Sequence, residues 1–206
     1  EPEETVGNLW HDWASRMAAP DCFADCAVTL DSVRSSIAVL FRGLGGGSSV
    51  EIGAAPATAV RHRRGILRTI GDNREFEYRA SFDGTRLRLP PLINQFPTRI
   101  LNRSAYLWLA ALAACCTDEL PQTDICSADE LTADLWHLST METATTRTLT
   151  ACPGLGRAHT ALRAHLLSNT IDRSANACEK AVASLTRKAL GDPAGLGDTA
   201  LSLIQA

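Results

Sequence analysis

Lysine is almost missing from this chain: Lys180 and Lys188 stand alone against eighteen arginines. That scarcity bears on "LFRGLGGGSS", Leu40 to Ser49, whose three consecutive glycines invite a phosphate-loop reading. A P-loop needs a strand before the glycines, a helix after them and a lysine beside the hydroxyl residue to reach the terminal phosphates. Here no lysine precedes Ser48, and the helical spacing comes first, over Val28 to Phe41, with a strand-like Val50 to Ile52 after it. The glycines therefore read as a helix stop and a turn into a strand.

Charge of one sign is also lacking. A net charge of −3 and a pI near 6.0 do not mark a general binder of nucleic acid or membrane surface. Aromatic residues make up 5% of a chain that is 45% hydrophobic, and alanine and leucine fill the difference, which favours helix packing over a sheet-rich fold. The longest apolar run, "AYLWLAALAACC" from Ala105 to Cys116, is too short to span a bilayer and suits a buried helix. The acidic opening "EPEETVGNLW" has no secretory n-region and h-region. Seven cysteines, an odd number without scaffold spacing, point to a reducing compartment. The expectation is a cytoplasmic protein.

The pattern along the chain predicts a mostly α, multi-helix domain with a small β-hairpin or short antiparallel sheet near residues 50–89. Helices are expected over Leu9 to Met17, Val28 to Leu44, a stretch opening at Pro56 and ending at Gly71, Thr98 to Cys116, and Ala128 to about Thr150. Others follow in "CPGLGRAHTALRAHLL" and "SANACEKAVASLTRKALG", the second stopped by Gly191, and Asp192-Pro193 opens a last one. "SVEIGAA" reads as a strand, and "REFEYRASFDGTRLRLP" as a hairpin turning at Asp83-Gly84. The threonines between Thr143 and Thr150 are poor helix formers, so that end of its helix is expected to fray or bend. All 206 residues are taken as one domain.

Few clusters offer chemistry. Cys22 and Cys26 could share a metal, but a structural zinc site needs four ligands and no second close pair supports them. Cys115-Cys116 ends an apolar helix and reads as core. A cysteine nucleophile with His137, His159 or His165 defines one alternative, a small cytosolic enzyme, although nothing local marks an activated thiol. Arg61, Arg63 and Arg64 in "RHRRG" form the densest basic patch, either a solvated face or a docking surface for acidic protein. Trp10 and Trp13 are either core anchors or candidate partner contacts.

One run is more particular than periodicity requires: "LRLPPLINQFPTRILNRSAYLWLAALAA", Leu87 to Ala114. With Leu89-Pro90, Phe96-Pro97, Asn102-Arg103, Tyr106 and Trp108, it resembles the N-terminal region of the CbbO and NorD family. These are von Willebrand factor A (VWA) proteins that work with MoxR-type AAA+ ATPases. Arg42, Gly45 and Gly46 in the glycine turn, and "CPGLGRAHTALRAHLL", agree with the same family over roughly Val28 to Leu167. The resemblance favours CbbO and implies a non-catalytic adaptor of a Rubisco activase, docking on a hexameric AAA+ ATPase, CbbQ, with Rubisco as client. ATP and Mg²⁺ are then implied for the partner ATPase alone. A NorD-like activation or assembly factor for nitric oxide reductase is the alternative. The VWA metal pattern Asp-x-Ser-x-Ser is not matched by "DSVRSS", Asp31 to Ser36, so no metal or cofactor is expected in this chain, which is read as a fragment of a longer adaptor. The motif residues have two readings, architecture or docking.

Overall fold

A computed structural model describes residues 23–59, 76–78, 80–115, 130–168, 180, 183–185, 187–188 and 191–192. Within them the fold is mostly α with a small sheet component, as the patterning predicts.

The glycine stretch closes helix α1, Leu30–Gly43. Leu30, Val33, Ile37 and Phe41 recur at helical spacing and are all buried, each contributing about 1.5–3 kcal/mol by leaving water. Gly45 takes φ +97°, the left-handed conformation a side chain resists. Its N–H bonds the Arg42 carbonyl at 3.1 Å and the Gly46 N–H bonds the Phe41 carbonyl at 2.9 Å, the paired bonds of a Schellman motif. Gly46 is required for a second reason: a Cβ there would lie 2.2 Å from the Phe41 ring. The loop is glycine-rich to let backbone pass an aromatic ring.

Strands are short. β1 (Val28–Thr29) pairs antiparallel with β7 (Leu92–Ile93). β2 (Glu51–Ala54) runs parallel to β6 (Arg86–Leu89), which also pairs antiparallel with β5 (Ser81–Phe82). The hairpin turn falls at Asp83-Gly84 as expected, with Gly84 at φ +81°. Asp83 Oδ1 accepts hydrogen bonds from the Thr85 N–H at 2.9 Å, the Thr85 hydroxyl at 2.7 Å and the Arg86 N–H at 2.6 Å, while Oδ2 pairs with Arg88 at 2.9 Å. The Thr85 bonds lead in holding the carboxyl down to about 2.

Three local expectations meet a different outcome. Where a helix is expected to open at Pro56, the chain instead forms β3 (Ala57–Ala59), antiparallel to β4 (Phe76–Tyr78), because strand partners outweigh the helix-start signal of a proline; the rest of that expected helix, residues 60–71, lies outside the described residues. The strand expected to run through Phe76 and Phe82 is divided: β4 serves β3, and β5 serves β6. The threonine-rich helix α3 (Glu130–Ala151) continues to its end without fraying. The hydroxyls of Thr143, Thr146, Thr148 and Thr150 each bond the carbonyl four residues back, at 2.8–3.1 Å. The hydroxyls are thereby satisfied within the helix, and Thr148 is fully buried.

Helix α2 (Arg99–Cys115) is central, packing against α1, α3 and α4 (Gly156–Ser168). Thr98 caps it, its hydroxyl accepting the Leu101 N–H at 3.2 Å. Ala110 to Ala113 are all buried, and small side chains let the neighbouring helices approach closely. The stop expected at Gly191 also forms, with φ +82° and a Gly191 N–H to Lys188 carbonyl bond of 2.8 Å.

Candidate functional site

The motif residues converge on the N-terminal half of α2 and the proline loop before it. Asn102 is fully buried. Its Oδ1 accepts the Phe96 N–H at 3.0 Å, and its Nδ2 faces the carbonyls of Cys26 at 2.8 Å, Phe96 at 2.9 Å and Thr98 at 3.2 Å. One amide thus ties the turn before β1, the proline loop and the helix start together. Buried polar groups are stable when paired in this way.

Tyr106 lies one turn further along and is also fully buried. Its hydroxyl reaches the Pro90 carbonyl at 2.7 Å and the Val28 carbonyl at 3.3 Å. Burial, then the charge of Asp31, pushes the phenol far above its ordinary value, so it stays a neutral donor. Pro90 offers its carbonyl without a competing donor of its own. Leu89 and Phe96 are core, and the exposed Pro97 accepts from Cys26 Sγ at 3.2 Å.

Trp108 meets α4. Its ring stacks on His159 with centroids 4.2 Å apart and planes at 28°. Burial, followed by the neighbouring Arg163 charge, lowers the His159 pKa to about 4, so the imidazole is neutral near pH 7. The Trp108 Nε1–H is enclosed without a hydrogen-bond partner. His165 Nε2 lies 3.1 Å from the Gln95 carbonyl and its ring contacts Phe96, joining α4 to the proline loop. Sequence reasoning did not single out this tie; the "GRAHTALRAHLL" spacing offered the only hint of it.

The remaining candidates lie apart. Arg103 is exposed and reaches Ser36 on α1 at 3.3 Å. Arg42 is exposed beside the glycine turn. Asp31 pairs with Arg34 at 2.7 Å, so "DSVRSS" is occupied with helix contacts. Cys115 lies beside Thr148 and Cys152, and burial leads in raising its thiol pKa. Trp10, Trp13, Arg61, Arg63, Arg64, Cys22 and the His137 side chain lie outside the described residues. Among the described residues no three His, Cys, Asp or Glu side chains gather as a metal site, and no helix is long and apolar enough to cross a membrane.

Backbone-directed side chains thus join the proline loop to the start of α2. The chain is 34% identical to the NorD protein of Brucella suis over 207 residues, covering 99% of this chain and 32% of the relative. The chain is thus similar to one stretch of NorD. NorD of Brucella abortus matches at 33% over the same shares, and NorD of Stutzerimonas stutzeri at 38% over 114 residues, 55% of this chain and 18% of the relative. The chain thus spans about a third of the Brucella relatives' length. No family model matches, and no solved structure does. These NorD relatives overturn the expectation of a CbbQ ATPase and Rubisco as partners, and with it a place in carbon fixation.

Proposed function

We propose that this chain is part of a NorD-like factor that activates or assembles nitric oxide reductase, and that it acts by binding rather than by catalysis. The observation that carries this reading is similarity to NorD over essentially the whole chain. The geometry supports a binding role, since Asn102 and Tyr106 spend their polar atoms on backbone groups and Trp108 is enclosed in the core. Side chains used in this way hold a scaffold whose exposed faces are left for partners. Deleting the gene in its host and following nitric oxide consumption tests the proposal. The expected result is reductase polypeptide at normal abundance with activity reduced at least tenfold, restored by the gene in trans. Undiminished consumption would overturn it.

A further inference from the structure

Four large hydrophobic side chains stand exposed among the described residues, and the two most exposed, Ile100 at 78% and Val39 at 72%, lie on neighbouring helices. The Arg103 to Ser36 contact at 3.3 Å brings those helices together on their outer side. Ile100 precedes Arg103 by one turn of α2, and Val39 follows Ser36 by one turn of α1, so both aliphatic residues flank that contact. Leu107, partly buried, continues the α2 stripe at the next turn.

Cations frame the same face. Arg99 and Arg103 on α2 and Arg42 on α1 are exposed, and among the described residues no carboxylate pairs with them. Helix α2 contains no acidic residue, and the one acid of α1, Asp31, is taken by Arg34. The surface is therefore apolar at two points and positive around them, inside a chain whose net charge is −3. Guanidinium groups pair with carboxylates in a bidentate geometry that an ammonium cannot reproduce.

We infer that the outer face of α1 and α2 docks an acidic amphipathic helix of a partner protein, its apolar stripe over Ile100 and Val39 and its carboxylates on Arg42, Arg99 and Arg103. A protein helix fits better than a bilayer, because two aliphatic side chains interrupted by Ser32, Ser35 and Ser36 insert too little to hold a membrane. The inference takes from the proposed function only that this chain binds protein; it does not depend on which client is served.

A fluorescein-labelled amphipathic peptide with leucine on one face and glutamate on the other, alongside its lysine-for-glutamate counterpart, tests this by anisotropy with the purified chain. The glutamate peptide is expected to bind, to weaken about tenfold or more on raising salt from about 50 to 500 mM, and to weaken about tenfold in Arg103→Glu and in Ile100→Ser. Substituting the exposed Tyr78 of β4 by Ser should leave binding unchanged. Circular dichroism of each variant, both altered at exposed positions, shows that the fold is kept. Failure of the glutamate peptide to bind, or equal binding of the lysine peptide, overturns the inference. Binding to phosphatidylglycerol vesicles that the same two substitutions abolish, with no peptide bound, assigns the face to a membrane and also overturns it. Undiminished nitric oxide consumption in the deletion strain would remove the proposed client while leaving the peptide result standing.

Discussion

The two halves of α2 bury polar groups in opposite ways. In the first half, Asn102 and Tyr106 each meet backbone carbonyls of segments distant in sequence, and the helix start is fixed to the proline loop and the strand β1. In the second half, Trp108 hides an N–H with no partner and stacks on a histidine that burial keeps neutral, amid alanines. One half obtains position from directional bonds; the other obtains it from close packing. A satisfied buried donor contributes about 1 kcal/mol, whereas a stranded one costs about 1–3 kcal/mol, so the halves should respond differently to the loss of a polar atom.

The largest effect is expected at Asn102. Asn102→Ala strands the Cys26 and Phe96 carbonyls and the Phe96 N–H at once, while the Thr98 carbonyl keeps the backbone N–H of residue 102; denaturant unfolding should show a loss of about 3–5 kcal/mol. A loss below about 1 kcal/mol would dissolve the contrast between the halves. Next comes the pH response of His159. Between pH 6.5 and about 4 the unfolded chain takes up a proton that the folded chain refuses. Stability is therefore complete above pH 6.5, falls through that window by an amount on the order of 2 kcal/mol, and levels off below about pH 4. Thermal melts from pH 7.5 to 4 should show the fall, and His159→Phe should flatten it.

Trp108→Phe sharpens the contrast by removing the unpartnered N–H along with ring volume. Its cost should stay near 1–2 kcal/mol, because the lost packing is partly offset by the deleted polar atom. Tyr106→Phe removes only a hydroxyl that is satisfied, and about 1 kcal/mol should go with it in the same unfolding assay. The smallest change belongs to the hairpin, outside both halves. Asp83 contributes its stability above the ordinary carboxyl value of 3.8 and loses it as pH falls toward about 2. Asp83→Asn should cost less than about 1 kcal/mol at pH 7 and blunt the acid limb of the melting curve below pH 4.

Much of the architecture was legible because its causes are local. The 3.6-residue spacing of Leu30, Val33, Ile37 and Phe41 announces α1, Thr98 caps α2, and Asp83-Gly84 turns a hairpin. Pro56 misled because a helix-start signal is weak next to strand partners near residue 77. The threonine stretch stays helical to Ala151 although its residues have low helix propensity. Of the candidate site, the motif residues were visible as a dense pattern, but not the pairing that uses them. Nothing in the spacing of Asn102 says that Cys26, 76 residues earlier, will supply a carbonyl.

By itself the sequence determined the helical class, the glycine stop that closes α1, and the likeness to a family; each depends on residue type and short spacing. Only the tertiary structure decided that Gly46 passes against Phe41, that β2 lies parallel to β6, and that Ile100 and Val39 stay exposed on neighbouring helices. Those outcomes follow from which distant surfaces meet. Burial and hydrogen bonding between them are summed over the whole chain, and no local pattern carries that sum.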